Sequence, residues 1–203
     1  MKYLITATLL NSFYWFYEFS DIAGRKEEFQ NFLNKKPFER NAAMQAGIDF
    51  ENDVRGYTET GIIDYACKKS DLYNCCVVEV GDIVKPCTWQ VSGSKNIHIS
   101  DKEICLYGIT DAIDGPIIYD IKYVKTFDYG KYQKSIQHSI YMHIFDQSTE
   151  FVYLVSDGKS VYTESYRKDQ VKNVVPTILD FFSWLSVNPE YEDFYFKNWE
   201  AKY

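Results

Sequence analysis

The stretch Gly108-Ile-Thr-Asp111-Ala-Ile-Asp114-Gly-Pro-Ile-Ile-Tyr-Asp120-Ile-Lys122 decides how this chain is read. Ile117 to Val124 has the apolar character of a buried strand, and Gly115-Pro116 makes the turn before it. Side chains alternate across a strand, so Asp120 and Lys122, two apart, point to the same face. Two charges on an otherwise apolar strand are unfavourable unless paired, metal-bound or set at a cleft. Asp111 lies on the preceding strand, Glu103 to Ile113, and the Asp114-Gly115-Pro116 turn lets that strand run back beside the second. A hairpin of this length brings Asp111 near Asp120. Carboxylates brought together repel, and a divalent cation relieves the repulsion. Mg²⁺ held by one or two carboxylates, water and a substrate phosphate is the expected arrangement. Such an ion activates an attacking water, and Lys122 would orient that water or stabilise charge on the phosphorane.

Downstream, Lys131 to Phe145 reads as a helix on which Gln137 and Tyr141, four apart, share a face. With Lys125, Lys131 and Lys134 this is the most basic part of a chain whose net charge is −7. Amide, phenol and ammonium groups beside a metal site suit a DNA backbone, and the competing reading of the lysines is a solvated face. His138 and His143 do not share a helical face, and Asp114 reads as a turn residue. Strands follow near Phe151 to Val155 and Ser160 to Tyr166, then a helix from Val171 to Leu185 and an aromatic tail.

Upstream, helices are expected over Thr8 to Phe19, Ile22 to Leu33, Asn41 to Thr58 and Asp71 to Val84, the second stopped near Pro37 and the last before Pro86. Thr88 to Val91 and Asn96 to Ser100 are short β-like runs separated by Ser92-Gly-Ser94. The order is helices, β-meander, helix, strand pair, helix. It predicts a single α/β (α+β) domain over residues 1–203, with a mixed central sheet flanked by helices.

Composition fits a globular domain, with 46% hydrophobic and 25% charged residues. The acidic balance argues against a nonspecific DNA coat but leaves room for one basic stripe. Five cysteines, an odd number without a CxxC pair, suit buried free thiols in a reducing compartment. A zinc site from Cys67, Cys75 or Cys76, Cys87 and a histidine is the alternative, at irregular spacing. Tyr3 to Tyr17 is uncharged but lacks a small-residue cleavage site and is too short to span a bilayer. Leu9, Phe13, Phe16 and Tyr17 recur at helical spacing, so a core helix in a cytoplasmic protein, with no membrane partner, is expected.

Taken together, Asp111, Asp120-Ile-Lys122 and Gln137-His-Ser-Ile-Tyr141 resemble the PD-(D/E)XK nuclease superfamily, in its RecB-like branch with a Q-x-x-x-Y helix. Gly47-Ile-Asp-Phe-Glu51 is similar to that family's first motif, and Thr6-Ala-Thr-Leu-Leu-Asn-Ser-Phe13 to the Ser-x-Ser-x-Leu start of RecB-like domains. The resemblance implies a restriction-endonuclease-like core and Mg²⁺ or Mn²⁺ held by Glu51, Asp111, Asp120 and the Ile121 carbonyl. It implies Lys122 as the catalytic lysine, with Gln137 and Tyr141 contacting DNA or supporting the site. DNA-end processing by a phage-type exonuclease is the implied activity, with a recombination or annealing protein as partner. A DNA-binding or interaction module that has lost catalysis is the alternative. Thr110 stands where the family has Pro, and Glu51 where many members have His. No Cys follows Cys105, which removes the iron–sulfur cluster of some relatives.

Overall fold

Residues Lys2–Thr6 form a strand, β1, where the sequence shows only the approach to a helix. β1 pairs in parallel with β4 (Lys102–Ile109), from Lys2↔Glu103 to Thr6↔Tyr107. Its partner lies far along the chain, so no local pattern announces it. Thr6 ends the strand and caps α1 (Ala7–Glu18), its hydroxyl accepting the Leu9 N–H at 3.1 Å. That bond satisfies one of the donors a helix N-terminus leaves open. α1 buries Leu9, Leu10, Phe13 and Phe16. Tyr17, expected with them, is 46% exposed and stacks on the Phe13 ring instead.

The computed structural model describes residues 2–37, 39–63 and 70–199. α2 is Arg25–Leu33, and α3 (Ala42–Thr60) is capped by the Asn41 side chain and stopped by Gly61 at φ 70°. α4 (Asp71–Val84) begins at a Ser70 cap and packs beside α3, with Gly81 directly beneath the Tyr57 ring.

The next four strands are one long hairpin. β2 (Thr88–Trp89) and β3 (Ser92–Ile99) form one arm, β4 and β5 (Ala112–Asp114) the other. Their register runs unbroken from Thr88↔Ile113 to Ile99↔Lys102. Gln90 N–H donates to the Asp111 carbonyl at 2.9 Å and Thr110 N–H to the Val91 carbonyl at 3.0 Å, carrying the ladder across the join. The backbone bends there, with Gln90 at φ 52°. The half beyond the bend belongs to a three-stranded sheet, β1-β4-β3, and the other half to a five-stranded sheet, β2-β5-β6-β7-β8. Thus two mixed sheets replace the single mixed sheet expected. A Pro at position 110 would remove the Thr110 donor from this join.

β6 (Ile117–Tyr123) runs antiparallel to β5 and parallel to β7 (Glu150–Ser156), and β8 (Val161–Arg167) closes the sheet antiparallel to β7. α5 (Gln137–Ile144) lies between β6 and β7 in sequence, followed at the C-terminal end by α6 (Val175–Ser186) and α7 (Pro189–Asn198). α7 occupies what reads as a tail. α5 starts at Gln137 rather than Lys131, and residues 124–136 form a loop.

Ser92-Gly-Ser94, expected to separate strands, lies inside β3. Gly93 faces Gly108 across the ladder, and α5 rests on the pair. A Cβ at Gly93 would stand 2.6 Å from the Phe145 ring, and one at Gly108 2.8 Å from the Tyr141 ring. The glycines are there because aromatic side chains occupy the space a methyl would take.

Two apolar clusters sandwich the five-stranded sheet. Phe13, Ile118, Ile140, Phe151, Tyr153 and Phe181 belong to one, and Phe50, Val54, Val77, Val80, Ile121 and Leu154 to the other. Coverage on both faces explains why β6 and β7 read as nearly continuous apolar runs. Among the described residues, no helix is long and apolar enough to cross a membrane.

Candidate active site

The two sheets part at Asp111. Continued one step past Ala112↔Tyr119, the β5–β6 register sets Asp111 opposite Asp120, but the ladder has already ended. From that point β4 leaves with β3 while β6 continues beside β7, and the strands open like a fork. The fork leaves the Ile121 N–H without a strand carbonyl on that side. Asp111 Oδ2 accepts it at 2.9 Å. A buried donor is thereby satisfied by the same side chain that faces Asp120.

Asp120 and Lys122 share one face of β6, as the alternation requires. Lys122 Nζ lies 2.5 Å from Asp120 Oδ2, with the Lys122 side chain about a third exposed and Asp120 only 5% exposed. Asp120 Oδ1 accepts the Gln137 Nε2 amide at 2.7 Å. One turn further along α5, the Tyr141 hydroxyl donates to the Ile109 carbonyl at 2.7 Å. Gln137 therefore holds the β6 arm of the fork and Tyr141 the β4 arm. Tyr141 is buried, with its hydroxyl taken up by the Ile109 carbonyl. Ser135 fixes the start of α5, its Oγ accepting the Gln137 N–H at 3.1 Å.

Glu51 enters from α3. Its Oε1 accepts the Gln90 side-chain amide at 2.9 Å, so the residue at the hairpin bend touches both Glu51 and, through its backbone, Asp111. Burial raises the Glu51 pKa, Lys122 lowers it and Asp120 raises it. Burial also pushes Asp111 up to about 7, with Asp120 adding to the effect and Lys122 opposing it. At Lys122 burial works against the ammonium, and the Asp120 and Asp111 carboxylates more than offset it, so its pKa rises. These mutual effects tie Glu51, Asp111, Asp120 and Lys122 into one electrostatic cluster.

The raised Asp111 pKa has a consequence for stability. An acid whose folded pKa exceeds its unfolded value binds its proton more tightly when folded, so its contribution is lost as pH rises from about 4 towards about 7. Burial lowers the His138 and His143 pKa values, and these act in the opposite sense over the same range, so the Asp111 contribution is read as a difference between two proteins. Denaturant titrations at pH 5 and pH 7.5 are expected to show Asp111→Asn gaining stability relative to wild type at the higher pH. The same difference between the two proteins at both pH values would mean that Asp111 titrates normally.

Among the described residues, no three His, Cys, Asp or Glu groups form a ready-made metal cage. The donor chemistry nevertheless suits a hard divalent ion: three carboxylates act on one another, and buried Asp120 Oδ2 has no aligned hydrogen-bond donor. Lys122 supplies the nearest positive charge.

Two further site residues carry no sequence signal. Gln90 is exposed and polar, and nothing local marks it as the bend. Tyr132, in the loop before α5, is pushed up to about 12 by burial, with Lys122 lowering and Asp120 raising it, and its ring stacks 4.3 Å from Tyr153. Lys125, Lys131 and Lys134 are exposed on that loop; Lys131 and Lys134 lie before α5 rather than on the helix where they were expected. Asp114 sits at the exposed turn. Of the thiols, Cys76 is buried, Cys87 and Cys105 are half-buried, and Cys75 is exposed, contrary to expectation; Cys67 lies outside the described residues. His138 is buried, its Nδ1 3.2 Å from the Tyr153 hydroxyl and its ring stacked on Tyr166. A cavity of about 210 Å³ lies between α3 and α4, lined by Asp53, Tyr57, Tyr73 and Asn74, and contains none of the site carboxylates.

No family model and no curated protein matches this chain. Among solved structures it is similar to one described as the crystal structure of SSO0001, with a TM-score of 0.50 and 13% identity over 100% of this chain and 80% of that one. Likeness at that identity speaks to the fold, and what the chain shares with that structure is a mixed α+β architecture.

Proposed function

We propose that this chain is a metal-dependent nuclease of the PD-(D/E)XK type, hydrolysing phosphodiester bonds in DNA. The observation that carries the reading is the fork. Asp111 and Asp120 face each other where the sheets part, Lys122 stands beside them, and Gln137 on α5 orients Asp120. Glu51, Asp111, Asp120 and the Ile121 carbonyl would hold Mg²⁺ or Mn²⁺. The ion, when bound, would act as a Lewis acid on the phosphoryl oxygen and lower the pKa of a bound water.

The chain's own groups have distinct parts. Gln137 engages Asp120 Oδ1, while Oδ2 lies 2.5 Å from the Lys122 ammonium. Asp111 uses Oδ2 on the Ile121 N–H, which fixes its carboxyl plane against β6. Lys122 remains an ammonium because the carboxylates around it favour that form, and it is placed to orient the attacking water or stabilise charge on the phosphorane. The RecB-like resemblance of the motifs, rather than the geometry, carries the narrower reading of an exonuclease that trims DNA ends in recombination or repair. The free thiols suit a reducing, cytoplasmic setting.

The test is incubation of the purified chain with linear duplex, circular duplex and single-stranded DNA, with Mn²⁺ or with EDTA. Degradation that needs Mn²⁺ and disappears in Asp120→Ala is the expected result. Activity unaffected by Asp120→Ala would assign the cleavage to another site. DNA binding without cleavage under all conditions would favour a binding module built on the same fold.

A further inference from the structure

The loop between β6 and α5 begins directly after the strand bearing Lys122 and carries Lys125, Phe127, Tyr129, Lys131, Tyr132 and Lys134. Its aromatic rings form an open cluster with Tyr162 of β8. Phe127 stacks on Tyr162 at 4.8 Å, and Tyr129 stands edge-on to Phe127 at 5.1 Å. Tyr129 is 76% exposed. A large ring left this open, beside others that are half-buried, has a free face.

The loop is also braced. Glu164 accepts the Gly130 N–H at 3.1 Å and the Tyr132 N–H at 3.3 Å, and Gly130 takes the left-handed φ of 82° that this path requires. The exposed rings are thus presented on a fixed backbone. Lys125, Lys131 and Lys134 make no ion pair among the described residues, whereas Lys95, Lys102 and Lys122 each do. Asp128 is the one acid in the same stretch. Three cations without an ion pair among the described residues, one of them, Lys131, 5.8 Å from the Tyr132 ring centre, are complementary to a polyanion with flat bases.

We propose that this loop is a stacking platform for unpaired nucleotides, with bases on Tyr129 and Phe127 and backbone phosphates on Lys125, Lys131 and Lys134. Tyr132 joins the platform to the fork, since its phenol acts electrostatically on Lys122 and Asp120. The inference rests on the nuclease reading of the fork and names its substrate as a single strand or a frayed end. A duplex buries the base faces that Tyr129 offers to receive, so a blunt duplex fits the platform poorly.

The probe is a labelled oligodeoxythymidine of about twenty nucleotides, compared with a blunt-ended two-strand duplex by fluorescence anisotropy in EDTA, where a metal-dependent cleavage is suppressed. The single strand should bind more tightly. Tyr129→Ala should weaken its binding about tenfold while Tyr129→Trp retains it, as expected for one stacked base. Joint Lys125→Gln, Lys131→Gln and Lys134→Gln should reduce the slope of log affinity against log salt by about 2. Tyr129 is exposed, so its variants are expected to keep the wild-type melting profile. Equal binding by wild type, Tyr129→Ala and the triple variant would overturn the platform, and so would a preference for the blunt duplex. Such a result would leave the patch to a protein partner. Tyr129-dependent binding without Mn²⁺-dependent cleavage would uphold the platform and remove the nuclease reading. Cleavage with unaltered binding in Tyr129→Ala would do the reverse.

Discussion

On the proposed nuclease reading, Lys122→Ala is expected to lower DNA cleavage by about a hundredfold to a thousandfold, and also to lower the stability of the folded chain. The activity loss follows from removing the one ammonium beside the paired carboxylates, where a single electrostatic group is worth about a hundredfold to a thousandfold. The stability loss has a separate origin. Asp120 is 5% exposed, and Lys122 is the charge that offsets its burial. Breaking a fully buried pair costs about 3–5 kcal/mol. Lys122 is a third exposed, so water recovers part of this and a loss of about 2 kcal/mol is expected. Adding Asp120→Asn to Lys122→Ala should restore much of the stability, because a neutral amide needs no counter-charge, and should restore no activity. Chemical denaturation and a Mn²⁺ cleavage assay on the same three proteins separate the two effects. A double variant no more stable than Lys122→Ala would mean that the pair is not what the folded state loses.

The second large effect is expected at a residue with no side chain. In Gly108→Val the new Cβ would stand 2.8 Å from Tyr141 Cε1 and 3.3 Å from Ile144 Cδ1. The Tyr141 ring cannot swing aside without breaking its hydroxyl bond to Ile109, which contributes about 1 kcal/mol. Overpacking of this kind costs about 1–3 kcal/mol, and the immobile ring places Gly108→Val near the upper end. Gly108→Ala should lose about half as much. Tyr141→Leu provides the control: if the clash is with the ring, Gly108→Ala should cost less in that background, and a double-mutant cycle by urea denaturation measures the difference. Additive losses would locate the strain elsewhere.

The parts of the site that sequence alone made legible are those set by short-range rules. Alternation placed Asp120 and Lys122 on one face, the Asp114-Gly115-Pro116 turn returned Asp111 to them, and a four-residue spacing aligned Gln137 with Tyr141. The bounds of α4 are likewise those expected, because Ser70 caps it and Pro86 follows its end. What stayed hidden depends on distant partners. Glu103 to Ile113 reads as one strand because it is nearly one strand; its division between two sheets is marked only by the bend at Gln90 on the other arm. Lys131 to Ser135 looks helical by composition, yet Glu164 captures the Gly130 and Tyr132 N–H groups and holds the chain in turns. Tertiary bonds override propensity there. The same capture leaves Lys131 and Lys134 on the aromatic loop rather than on α5.

The fork has a mechanical consequence. Its arms are held by residues four apart on one helix, Gln137 on β6 and Tyr141 on β4, and four helical residues span about 6 Å along the axis. One helical turn therefore acts as a gauge for the mouth between the sheets. The arms cannot spread or close without releasing one of the two bonds, so the spacing of the carboxylates is as stiff as the helix that spans it.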